Sequence, residues 1–127
     1  MKVTDLMVGD WIQVKRGFDG HLTNEKIKGL LDDDSEPYPI ILTTEETVSL
    51  DDIVPIPLTE EILVKNGFER DENNQCIFKQ NFKPQRFEIE YIGWSDGRWA
   101  SHHLVIKYIH QLQHMLRIVG VQKEIEL

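Results

Sequence analysis

Apolar positions change their period part-way along the chain. Up to about residue 56 they come in short β-rich runs. Gly9-Asp10 is a turn signal, and Trp11, Ile12 and Val14 follow it as a strand. A second strand is expected within residues 22–31, its alternation broken at Gly29. Residues 38–43 and 47–50 predict two more, joined through Glu45-Glu46, while Asp32-Asp33-Asp34-Ser35-Glu36-Pro37 reads as a solvated loop. Several short strands in so short a stretch must curl to bury one face. That predicts a small SH3-like β-barrel over residues 1–56.

Pro55-Ile56-Pro57 is the natural boundary, because two prolines in three residues favour an extended, poorly paired segment. Residues 60–66 then predict a helix. Thr59 is its N-cap, Glu60 and Glu61 sit at its positive end, and Gly67 is placed to stop it. Leu58 and Leu63 have the spacing of a hydrophobic staple. Residues 68–71 and 75–80 flank Glu72-Asn73-Asn74 as a hairpin, and Phe87-Glu88-Ile89-Glu90-Tyr91 alternates as a half-buried strand. Ser95-Asp96-Gly97-Arg98 centres Asp-Gly in a two-residue turn. From about His102 to Val119 the spacing turns helical, with Ser101 as N-cap and Gly120 as stop. Val105, Ile109, Leu112, Leu116 and Val119 form the predicted core stripe, and 121–127 is expected to return as a strand. Residues 57–127 thus predict an α-β-β-β-α-β layer with one long helix packed on an antiparallel sheet. The whole is α+β, with the two subdomains, 1–56 and 57–127, joined in one compact unit.

Composition narrows the class. In 127 residues, 40% are hydrophobic and 28% charged, which fits a folded chain rather than a disordered tail. No run of 18 apolar residues predicts a membrane helix, and the start, MKVTDLMVGDW, lacks a signal peptide's apolar core. A single cysteine, Cys76, excludes an internal disulfide and suits a reducing cytoplasm. Its apolar strand neighbours Ile77 and Phe78 make it an expected inert thiol. The formal charge is -8, so nucleic acid is not the expected partner unless a local basic face overrides the net field.

Three stretches carry a resemblance. They are Leu6-Met7-Val8-Gly9-Asp10-Trp11, then Pro55-Ile56-Pro57-Leu58-Thr59-Glu60-Glu61 with Gly67-Phe68, and Tyr108-Ile109-His110-Gln111-Leu112-Gln113. Together they resemble uncharacterised small proteins of gut Bacteroidetes and of their phages and mobile elements. Members often carry Asn where Asp10 stands and another residue where His114 stands. The resemblance implies a cytoplasmic protein of phage or mobile-element origin and a non-enzymatic default.

Candidate chemistry concentrates near the C-terminus. On a helix beginning near residue 102, His103, Lys107, His110, His114 and Arg117 would share one polar stripe, locally basic within an acidic chain. That stripe is the expected partner-binding face. His110 and His114 also have the i, i+4 spacing of two metal-bound imidazoles. Gln111 stands where a zinc protease needs a glutamate base, and an amide cannot take the proton. Trp94 and Trp99 flank the predicted two-residue turn and would face one another across it, on the sheet face opposite Phe87, Ile89 and Tyr91, covered there by the first subdomain or by a ligand, unless a bulge at Gly93 returns Trp94 to the core. The acidic loop misses the Gly and Glu positions of a calcium-binding loop. No nucleophile elbow, phosphate loop or dinucleotide fingerprint occurs, so no catalytic residue, metal or cofactor is expected.

The expected function is a non-enzymatic binding or adaptor protein with an unidentified protein partner, contacted through the helix stripe and Trp94/Trp99. The first alternative is a nucleic-acid-associated module, or an acidic decoy of a nucleic-acid-binding protein. The second is a metal-binding protein or enzyme using His110 and His114. The sequence points to no membrane and leaves the oligomeric state open.

Overall fold

The computed structural model describes residues 5–30, 46–82, 85–93, 97–101 and 104–127 in full, and residues 39–42 by their backbone. The acidic stretch 32–37, Trp94, Ser95, Asp96 and His103 lie outside the described residues. The chain divides into two compact units, Met1–Ile56 and Pro57–Leu127.

In the first unit, Met7-Val8-Gly9-Asp10 closes a turn, with Asp10 N–H donating to the Met7 carbonyl at 3.1 Å. Gly9 holds the positive φ of 94° that a type II turn needs at its third residue. The fully buried Asp10 carboxylate accepts from Met7 N–H at 2.7 Å and fixes the entry to the sheet. Strands β1 (Trp11–Arg16), β2 (His21–Leu30), β3 (Pro39–Leu42), β4 (Thr47–Ser49) and β5 (Ile53–Val54) pair in the order β4-β3-β2-β1-β5, all antiparallel. The two-residue period sends Ile12 and Val14 inward, where they join Leu6, Ile27, Val48 and Ile53 as the core. Each such side chain contributes roughly 1.5–3 kcal/mol on burial. β2 is long because it serves two partners, and its register shifts between Ile27 and Gly29 as it passes from β1 to β3. A 3₁₀ turn, Leu50–Asp52, capped by the Ser49 hydroxyl, leads into β5. Among the described residues no ladder joins β4 to β5, so no closed barrel is seen and the SH3-like barrel expected from the sequence is not confirmed. With three and two residues, those edge strands offer little backbone for a closing ladder.

The second unit opens with α1 (Glu60–Lys65), capped by Thr59, whose hydroxyl accepts from Ile62 N–H at 3.3 Å. Leu58 and Leu63 are both buried. At the far end Phe68 N–H donates to Leu63 and Gly67 N–H to Val64, a Schellman closure that requires the positive φ of 90° at Gly67. Strands β6 (Glu69–Arg70), β7 (Ile77–Asn81), β8 (Arg86–Tyr91), β9 (Trp99–Ser101) and β10 (Leu104–Ile106) form an antiparallel sheet in the order β10-β9-β8-β7-β6. Phe78, Phe87, Ile89, Trp99 and Ile106 are buried, and so are Ile109, Leu112, Met115 and Leu116 of α2 (Ile109–Ile118).

Two elements differ from the sequence expectation. The long helix begins at Ile109, about two turns later than the 102 start, because 104–106 pairs with β9 instead. Ser101 is not its cap; its hydroxyl donates to the Glu88 carbonyl at 2.6 Å. Gln111 serves that end, its side-chain oxygen accepting from the N–H groups of Lys107 (2.8 Å) and Tyr108 (3.1 Å). Val105, assigned to the core stripe, is therefore 54% exposed on an edge strand. Residues 121–127 form no strand. The buried Asn66 side chain brackets Glu126 instead, accepting from its N–H and donating to its carbonyl, both at 2.7 Å. Val121 and Ile125 anchor the same segment by burial.

Candidate functional site

The late helix start dismantles the predicted stripe. Lys107 precedes α2 and is half-buried, its carbonyl accepting from Leu58 N–H at 2.9 Å. His110 is only 3% exposed and stacks parallel to Tyr108, ring centroids 5.9 Å apart. His114 meets His110 edge-on at 5.7 Å, and Arg117 is exposed in the last turn, where its charge complements the helix dipole. His103 lies outside the described residues, and of the other four His110 and His114 meet in a ring contact. No third His, Cys, Asp or Glu joins them or any other pair in a metal-holding group among the described residues. Gln111, where hydrolysis would want a base, is the N-terminal clamp of α2.

Trp99 is also placed differently. The two-residue turn would have paired residue 99 with residue 94, whereas β9 pairs Trp99 with Tyr91. The register has moved by three positions. An odd slip exchanges the faces of a strand, so Trp99 lies on the buried side with Phe87 and Ile89. Ile92 and Gly93 N–H both donate to the Arg98 carbonyl, closing a wider loop than Asp-Gly alone would make. Trp99 is 4% exposed, and its indole N–H donates to the Leu58 carbonyl at 3.2 Å.

That placement builds a cleft. Tyr91 and Phe78 stand edge-on to Trp99, with centroids at 5.0 and 5.7 Å. With Leu58 they wall a cavity of about 330 Å³ whose rim carries Thr59, Glu60, Gln75, Cys76 and Gly97. Local sequence makes the rim. Asp71 accepts from Asn73 N–H at 2.7 Å and Asn74 from Cys76 N–H at 3.0 Å, two Asx turns that carry the chain round to Cys76. The Cys76 carbonyl then takes Tyr91 N–H at 2.8 Å, tying rim to wall. The Asn73 N–H, and more weakly the Lys79 charge, hold the Asp71 carboxyl below the usual aspartate range. Glu60 pairs with Arg70, whose guanidinium lies over the Phe78 ring at 5.4 Å. Among the described residues the cleft offers aromatic walls, one carboxylate from Glu60 and one thiol from Cys76.

Phe78, Tyr91 and Leu58 belong to this site but read in the sequence only as strand and staple residues. Nothing short of the β8–β9 register could have gathered them around Trp99. No family model matches the chain, and no curated protein or solved structure does either. No helix among the described residues is long and apolar enough to cross a membrane.

Proposed function

We propose that this chain is a non-enzymatic binding protein which receives an apolar or aromatic side chain of a protein partner in the Trp99 cleft. The observation that carries this is the aromatic-walled cavity of about 330 Å³, in the size range of small ligand pockets, with a polar rim to orient what enters. We read the first unit as SH3-like. Its strand order, its kinked β2 shared between two partners and its 3₁₀ turn before the last strand support that reading. Such small β units commonly present binding surfaces, which is an analogy of fold rather than of site. A mobile-element origin rests on the three resembling stretches, and a cytoplasmic one on these and on the single Cys76.

The test is a peptide-display selection on the immobilised full chain, with each enriched peptide titrated against backbone amide spectra. Peptides with one recurrent aromatic anchor should move the amides of Cys76, Tyr91 and Gly97. Cys76→Trp, which fills the cleft, should abolish those shifts. Peptides that bind the filled variant as well as the native chain would end this proposal.

A further inference from the structure

Among the described residues Phe18 is the one aromatic ring left wholly in water. The core of the first unit closes without it. It stands at the tip of the β1–β2 hairpin, in the four residues Gly17-Phe18-Asp19-Gly20 that join Arg16 to His21. Gly17 and Gly20 hold positive φ values of 68° and 67°, so the turn is tight and its flanks carry no side chains. Asp19 folds back onto His21, accepting from its N–H at 3.2 Å and meeting its ring nitrogen at 2.9 Å. Phe18 therefore leads the hairpin. Behind it the register sets Leu22 beside Lys15, both exposed.

The second unit carries a surface of matching chemistry. The Trp99 cleft, about 330 Å³, has room for a phenyl ring, since a ring of that size fills a dry cavity of about 150 Å³. Thr59 and Glu60 of its rim also border a neighbouring depression along α1, lined by Glu61 and Val64. Both of these side chains are exposed. The two surfaces thus repeat one another in complementary form: a ring and a ring-sized cleft, Leu22 and Val64 as exposed aliphatics, Lys15 and Glu61 as opposite charges. Glu60 is engaged by Arg70 and Asp19 by His21, so Lys15 and Glu61 carry the charge complementarity.

We propose that the side chain taken by the Trp99 cleft is Phe18 of a second copy of this chain, with Leu22 against Val64 and Lys15 against Glu61 at the rim. This pairing rests on the reading of the cleft as a receptor for an aromatic group, and it names the occupant. Tyr91 and Trp99 would meet the incoming ring in the tilted or offset arrangements that aromatic pairs prefer. Each molecule supplies both halves of the contact, so the association is self-complementary. A tip-in-cleft contact is small, which makes it weak and reversible rather than a permanent dimer interface. A lipid surface would also take Phe18 and Leu22, but it would leave the cleft unused, and a formal charge of -8 opposes approach to an anionic bilayer.

The test uses the full chain in two forms. Isotope-labelled Phe18→Ala, which keeps the cleft and lacks the ring, is titrated with unlabelled native chain up to about 1 mM. The amides of Cys76, Tyr91 and Gly97 should shift. Unlabelled Phe18→Ala as the titrant should bind roughly tenfold or more weakly, the effect of removing one buried ring. Phe18 is fully exposed, so its replacement leaves the fold intact. Lys15→Glu in the titrant should weaken binding about threefold, and Glu61→Lys in the labelled chain should restore it. In sedimentation, the average mass of the native chain should rise with concentration and that of Phe18→Ala should not. The absence of any shift with native chain overturns the proposal, and so does a shift that Phe18→Ala produces equally. Phe18-dependent binding to phosphatidylcholine vesicles, with the three amides unmoved by native chain, overturns it in favour of a lipid surface. If native chain fails while display-selected aromatic peptides still move the three amides, only the second copy is lost as occupant; if those peptides fail too, the reading of the cleft falls with it.

Discussion

Trp11 and Trp99 sit on five-stranded antiparallel sheets of similar size, one in each unit, and the chain uses them in opposite ways. Trp99 is buried and bonded through its indole N–H, with Tyr91 and Phe78 packed on it. Trp11 is half-buried and meets a lysine ammonium. The sheets differ in the same sense. In the second unit, the outer face of β8 mixes signs, Arg86 pairing with Glu88 at 3.1 Å on the same strand, and β7 adds Lys79 paired with Asp71 at 3.5 Å. A mixed face neutralises itself. In the first unit Arg16, on the hairpin's core side, pairs with Glu25 and Glu46, while on the other side the Lys26 ammonium lies over the Trp11 ring. The lesson is that a strand's charge count says less than its charge parity. Alternate positions sort neighbouring residues onto two faces that meet different partners.

Substitutions can break that contrast. Trp99→Ala should have the largest effect, lowering unfolding free energy by about 3–5 kcal/mol, because a large buried ring is replaced by a cavity. Trp11→Ala should cost less than about 1.5 kcal/mol in the same urea titration. Equal costs would remove the distinction between a structural and a contact tryptophan. Next in size, Asn66→Ala should cost about 2 kcal/mol by stranding the backbone groups of Glu126, and amide exchange along 121–127 should accelerate. Gln111→Ala should cost about 1 kcal/mol, since two N–H groups at the start of α2 lose their acceptor, whereas Gln111→Glu should stay close to native.

The smallest effect is electrostatic. The folded-state Asp71 carboxyl is held below its ordinary value of 3.8, chiefly by the Asn73 N–H. Its contribution is present above that ordinary value and is lost as pH falls through the lowered one. On acidification the amides of Asn73 and Cys76 should therefore shift together in this window, and Asp71→Asn should flatten the response. An unchanged profile in Asp71→Asn would detach the turn from the cleft rim.

Much of the second unit's framework was legible before folding. Thr59 and Gly67 bound α1, and Gly120 stops α2, since Val121 N–H reaches Leu116 and Gly120 N–H reaches Arg117 in a second Schellman closure. The alternation of β8 correctly sent Phe87 and Ile89 inward and Glu88 and Glu90 outward. The site was much less legible. Helical spacing continued back through Val105 because β-branched residues at i, i+4 fit either period over a short run, and only pairing with β9 chose the strand. The hairpin face of the first unit was hidden for a related reason. Its parity is visible in each strand, but which lysine stands beside which ring depends on a four-residue loop fixing the register.

By itself, then, the sequence determined those features whose cause lies within a few residues: the Thr59 cap, the glycine stops at Gly67 and Gly120, the turn at Gly9-Asp10 and the inward positions of β8. These follow from local sterics and from hydrogen-bonding groups that reach only a turn away. The tertiary structure alone decided the three-residue slip that buries Trp99, the cleft it makes with Tyr91 and Phe78, the start of α2 and the company of Trp11 and Lys26. Each of these depends on one strand's register against another. Register is set by packing energy summed over many side chains, which no short window of sequence contains.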